Sequence, residues 1–113
     1  MNLTIETANG ERETYFGLSD FQQSNGTLVL FWPPSLDEPP QENKEVEGAK
    51  AVSAGDESVT TTQTLLEIAR EELQRDNRVY VGASPQIKNL EGLIDGLRHF
   101  GYDESENMTI YTR

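Results

Sequence analysis

The sequence predicts an α+β domain: a mixed sheet of about five strands with two helices on one face, a two-layer sandwich in the order β-β-β-α-β-α-β. Three observations predict it. Asn9-Gly10 sits between two short segments of strand-like pattern and marks an antiparallel hairpin near the start. Two stretches carry apolar residues at helical spacing, from Thr61 to Asp76 and from Pro85 to Phe100. Apolar strands at Arg78–Gly82 and Asn107–Thr112 follow these helices in turn, and strand–helix–strand crossovers set their strands parallel in one sheet. An antiparallel placement of the last two strands, as in ferredoxin-like arrangements, is the alternative.

The first hairpin reads as a two-residue type I′ turn, with both Asn9 and Gly10 at positive φ. That register sets Leu3 opposite Phe16, Thr4 opposite Tyr15, Ile5 opposite Thr14 and Glu6 opposite Glu13. Leu3, Ile5 and Phe16 then share a buried face. Glu6, Glu11 and Glu13 share the other, where facing carboxylates repel one another. Ser19–Gln23 reads either as one capped helical turn or as a short strand before a second turn at Asn25-Gly26. Thr27–Trp32 is apolar on both faces, as a central strand would be, and Pro33-Pro34 stops it.

Residues 33–58 hold four of the five prolines, seven acids and two lysines, the composition of a long mobile loop. The first helix begins at a Thr60–Gln63 capping pattern and buries Leu65, Leu66, Ala69 and Leu73, with Asn77 as its stop. Ser84-Pro85 reads as a cap followed by proline in the first helical position, opening the second helix. That helix buries Ile87, Leu90, Leu93, Ile94, Leu97 and Phe100, and Gly101 ends it in the left-handed conformation. In the last strand Met108 and Ile110 share one face.

Composition narrows the function. At 113 residues the chain forms one domain, residues 1–113, and its 26 Leu, Ile, Val and Phe lie above the roughly 20 % below which a charged chain stays disordered. Twenty acids against nine basic residues give a net charge of −11. Phosphate binding needs Lys and Arg, so direct binding to nucleic acid or to an anionic membrane is not expected. With no cysteine and one histidine, disulfides, thiolate nucleophiles and Cys or His-pair metal sites are out of reach, and no metal or other cofactor is expected. No apolar run approaches a membrane span and no signal-peptide pattern opens the chain, so a cytoplasmic location is the expectation.

Several residues invite a chemical reading beside a plainer one. Gly82, Ala83 and Ser84 join a strand to a helix start, a place where free N–H groups hold anions; they serve equally as turn and cap. His99, four residues after Asp95, suits a helix C-terminus as a surface residue. Gly92 and Gly96 lie off the apolar stripe of the second helix, and each costs about 1 kcal/mol relative to alanine. They form a smooth track either for the first helix of this chain or for a partner.

The acidity itself has three readings: solubility, adaptation to concentrated salt, and recognition of a basic protein. The third gives the working expectation. The chain is a small, non-enzymatic protein-binding domain that inhibits or masks a basic, nucleic-acid-acting partner, in the manner of a nucleic-acid mimic. Its expected contacts are Glu6, Glu11, Glu13, Gly92, Gly96, Asp103, Glu104 and Glu106. A ligand-binding domain built on the 82–85 junction is the alternative. An enzyme limited to carboxylate or serine chemistry comes third.

Overall fold

The computed structural model describes residues 1–32, 44–56, 62–82 and 87–111. Its strands are β1 (Asn2–Glu6), β2 (Arg12–Phe16), β3 (Asp20–Ser24), β4 (Thr27–Phe31), β5 (Lys44–Glu47) and β6 (Lys50–Gly55), followed by α1 (Thr62–Leu73), β7 (Arg78–Gly82), α2 (Leu90–Phe100) and β8 (Met108–Tyr111). The α+β class and the alternation of helix and strand in the second half are as the sequence predicts. The first half holds more strands than expected, and they divide between two sheets.

The larger sheet is mixed and five-stranded, in the order β6-β1-β2-β7-β8. β1 is antiparallel to β2 and β6, while β7 is parallel to β2 and β8. Both helices cover one face, where Phe16, Val79 and Val81 meet Leu65, Ala69, Leu93 and Leu97. The other face is covered too. Leu3, Ile5, Tyr15 and Tyr80 pack there against Leu28, Leu30 and Trp32. These last residues belong to β4, or directly follow it, at the centre of a second sheet ordered β3-β4-β5. The sheet-and-helix pair thus carries a third layer. The chain passes from sheet to sheet at Gly17 and again at Gly48, so β2 runs on into β3 and β5 into β6. The pairings close β1, β2–β3, β4 and β5–β6 into a ring of strands around the second core.

The first hairpin corrects the expected register by one residue. Thr7 N donates to Glu11 O at 2.8 Å and Gly10 N to Thr7 O at 3.0 Å, which makes a three-residue loop. Gly10 has φ +81°, and Asn9 stays out of the positive-φ region. The resulting pairs are Leu3 with Tyr15, Thr4 with Thr14, Ile5 with Glu13 and Glu6 with Arg12. Because side chains alternate along a strand, one step moves Phe16 to the helix face and separates Glu6 from Glu13. The two-residue turn does exist, at Asn25-Gly26, where both residues have positive φ and Ser24 pairs with Thr27. It settles Ser19–Gln23 as part of strand β3 and its lead-in.

Two further expectations change. Within the segment expected to be a loop, residues 44–47 and 50–55 are strands; residues 33–43 and 57–58 lie outside the described residues. α2 begins at Leu90 rather than Pro85. Its cap is Asn89, whose side-chain oxygen accepts from Gly92 N at 3.1 Å. Ile87 packs into the helix-side core from outside the helix, and the Ser84-Pro85 start lies outside the described residues. Gly101 ends α2 as expected, with φ +119°. α1 ends three residues early, at Leu73, and Asp76 turns the chain at φ +53°.

Candidate interaction surface

The three glutamates expected on one acidic face have three different surroundings. Glu6 is half-buried, opposite Arg12 on β2 and Lys50 on β6. Glu11 is exposed in the hairpin loop. Glu13, on the other face of the sheet from Glu6, accepts from the Tyr80 hydroxyl at 2.6 Å and from the Tyr15 hydroxyl at 3.4 Å. The rings of Tyr15 and Tyr80 stack 4.5 Å apart at 8°. Lys44 on β5 lies over both, its ammonium 4.2 Å from the Tyr80 centroid and 5.2 Å from that of Tyr15. Burial holds the Lys44 pKa below its ordinary value, against the opposing pull of Glu13. This cation–π stack ties β5 to β2 and β7. Glu13 is therefore part of the packing between the sheets.

On the helix face, Glu72 is a buried carboxylate. Arg12 grips it with two hydrogen bonds, Nε to Oε2 at 2.8 Å and Nη2 to Oε1 at 2.9 Å, and Arg75 approaches at 3.3 Å. The hydrogen bonds to Glu72 raise the Arg12 pKa above its ordinary value. A neutral network continues inward. Thr4 and Thr14 share a hydrogen bond at 2.9 Å, Asn77 donates to Thr14, and the Tyr102 hydroxyl donates to Ala69 O at 2.7 Å. Asn77, expected only as a helix stop, is a buried hub of this network.

The glycine track is occupied from within the chain. A Cβ at Gly96 would lie 2.6 Å from Leu66 Cδ2, so Gly96 is where α1 seats on α2. At Gly92 a Cβ would strike the side chain of the capping Asn89. Gly82 ends β7 with the Trp32 ring against its α-carbon, where a Cβ would come within 2.6 Å of the indole. Packing thus accounts for Gly82; Ala83 and Ser84 lie outside the described residues.

What does come together is an acidic groove between α2 and β8, of about 570 Å³. Ile94 and Ile110 form its floor, and Glu91, Asp95, Arg98 and Glu104 its rim. Arg98 is held between Asp95, 3.6 Å from Nη1, and Glu104, 2.5 Å from Nη2. The hydrogen bond to Glu104 raises its pKa. The turn into β8 carries two more acids. Asp103 accepts from Ser105 N at 2.8 Å and Ser105 Oγ at 2.7 Å, which lowers its pKa, and its carbonyl accepts from the amides of Glu106, Asn107 and Met108. Asp103 shapes the turn, while Glu106 is exposed. Of the expected contacts, Asp103, Glu104 and Glu106 thus cluster beside the groove. Glu91, Asp95 and Arg98 were missed as a set, although their i, i+4, i+7 spacing puts them on one helix face. His99 is exposed beside Phe100 rather than paired with Asp95.

A second cleft, of about 440 Å³ at the hairpin end, gathers Arg12, Arg75 and Arg78 with Glu11, Glu13 and Asp76, so its charges balance. Among the described residues no group of three or more His, Asp or Glu is placed to hold a metal ion, and no helix is long and apolar enough to cross a membrane. The chain matches no protein-family model, no curated protein and no solved structure.

Proposed function

We propose that this chain is a non-enzymatic acidic protein-binding domain, working in the cytoplasm, that engages a basic partner through the α2–β8 face. By covering a surface built for nucleic acid it masks or inhibits that partner. The observation that carries this reading is the groove itself: three carboxylates and one already-neutralised arginine around an apolar floor. A net charge of −11 adds long-range attraction for a cationic surface and repulsion for phosphate. A groove with both an apolar floor and a charged rim has what a specific contact needs, since the floor gives affinity and the rim gives orientation and association rate. The supply of reactive side chains favours binding over catalysis, because the chain has no cysteine and its one histidine is exposed at the end of α2.

The test is capture of partners by the tagged chain in its own host, with cross-linking to locate the contact, followed by kinetics with the purified partner. A basic protein cross-linked near α2 and β8, with an association rate that falls as salt rises, is expected. An acidic partner, a salt-independent rate, or direct binding of the chain to duplex DNA at physiological salt would overturn it.

A further inference from the structure

The two edges of the five-stranded sheet differ. β6 is broken by an irregularity between its pairings with Thr4 and Ile5, which leaves Val52 exposed in a bulge. Bulges of this kind blunt an edge against further pairing. β8 runs in unbroken register with β7, from Met108 opposite Val79 to Tyr111 opposite Gly82. Val79 N donates to Asn107 O at 2.9 Å, which fixes the phase of the parallel ladder. Asn107, Thr109 and Tyr111 turn their backbone groups toward β7, so Met108 and Ile110 turn theirs outward. The Met108 amide is taken by Asp103 O. The Ile110 N–H and C=O and the Met108 C=O face away from the sheet, and no strand among the described residues covers them. The same edge borders the α2–β8 groove, with Ile110 in its floor.

We propose that β8 receives an extended basic segment of the partner as an added antiparallel strand, whose groove-facing side chains, at every second position, include apolar ones on Ile94 and Ile110 and Lys or Arg toward Glu91, Asp95 and Glu104. The proposal rests on the protein-binding reading above and specifies its contact. Charge selects the occupant. A second copy pairing through its own β8 would bring two sets of these carboxylates together, at a cost in like-charge repulsion. The chain's own residues 33–43 carry Asp37, Glu38 and Glu42 and four prolines, so they share the groove's sign and lack four of their eleven amide donors. A cationic strand from another protein has the complementary sign and a full set of donors. Strand addition supplies affinity through the main chain, and the groove then reads alternate side chains.

The test uses a synthetic ten-residue peptide in which every second residue is valine or lysine in turn and the residues between are threonine, titrated into the 113-residue chain. Hydrogen exchange and amide chemical shifts are followed residue by residue. The Ile110 amide is expected to shift and to become protected. N-methylating alternate peptide residues removes the donors that would pair with β8, and it should weaken binding roughly tenfold, as loss of one or two hydrogen bonds requires. Glu91→Gln with Asp95→Asn should weaken binding without melting the fold, as both side chains are on the outer face of α2. Binding that ignores N-methylation and leaves Ile110 unprotected would overturn strand addition, while leaving an acidic binding surface in place. Failure of any cationic peptide to bind would overturn both readings. A dimer in sedimentation that dissociates on Ile110→Pro would assign the edge to a second copy and contradict the proposal.

Discussion

Arg12 and Glu72 are sixty residues apart in sequence and joined by two hydrogen bonds of 2.8 and 2.9 Å, which fasten the first hairpin to α1. The carboxylate is almost entirely out of water, and the guanidinium is more exposed. Removing the arginine strands a buried charge with only Arg75 beside it. Arg12→Met should therefore cost about 2–3 kcal/mol in urea unfolding. Arg12→Met combined with Glu72→Leu should recover most of that loss, since no charge is then left unpaired. Equal losses in the single and double variants would show that the pair is not coupled.

The two Asn-Gly turns separate cleanly. Asn25 has φ +52°, whereas Asn9 is not in that region. Asn25→Ala should cost about 1 kcal/mol, because alanine lacks the short polar side chain that lets asparagine visit the left-handed region. Asn9→Ala should be near neutral in the same thermal melts. The reverse order would return the first hairpin to a two-residue turn.

Gly96 tests the helix–helix contact. Gly96→Leu drives a side chain into Leu66 and should destabilise by about 1–3 kcal/mol, as overpacking does. Gly96→Ala in a Leu66→Ala background should gain up to about 1 kcal/mol, relative to Leu66→Ala alone, from helix propensity. If Gly96→Leu melts like the wild type, α1 does not seat at this position and the residue is free for a partner.

Tyr102 sets an alkaline limit. Burial raises the pKa of its phenol, which donates to Ala69 O in the interior. The unfolded chain ionises this group near pH 10 while the folded chain keeps it protonated. Its contribution is whole below that pH and is lost progressively above it. Tyr102→Phe should cost about 1 kcal/mol at pH 7 and flatten the fall in stability between pH 10 and 11. An unchanged slope would mean that the phenol ionises normally.

The second half of the chain was legible because its signals are local. The stripes of α1 and α2, the Gly101 stop and the alternation of β7 and β8 each lie within one element. The first half depends on contacts between elements. A one-residue difference in loop length at Asn9-Gly10 turned Phe16 to the opposite face, and the dipeptide alone does not specify that length. β5 and β6 lie in an acidic stretch, and their pairing with β4 and β1 comes from tertiary context rather than from strand pattern. The candidate site was half legible. Asp103, Glu104 and Glu106 were visible as a cluster, but the floor of the groove needs α2 and β8 side by side. Glu13 read as a surface charge because the tyrosines that engage it are apolar-looking strand residues in sequence.

If the acids around α2 and β8 guide a basic partner, the association rates of two double charge reversals toward the captured partner at low salt must differ. Glu91→Lys with Asp95→Lys changes the groove, and Glu67→Lys with Glu71→Lys makes the same change in net charge on the exposed face of α1. The groove reversal should slow association about tenfold or more and flatten its salt dependence, with a much smaller effect from α1. Equal rates for the two variants, or the larger loss from the α1 reversal, would contradict such guidance.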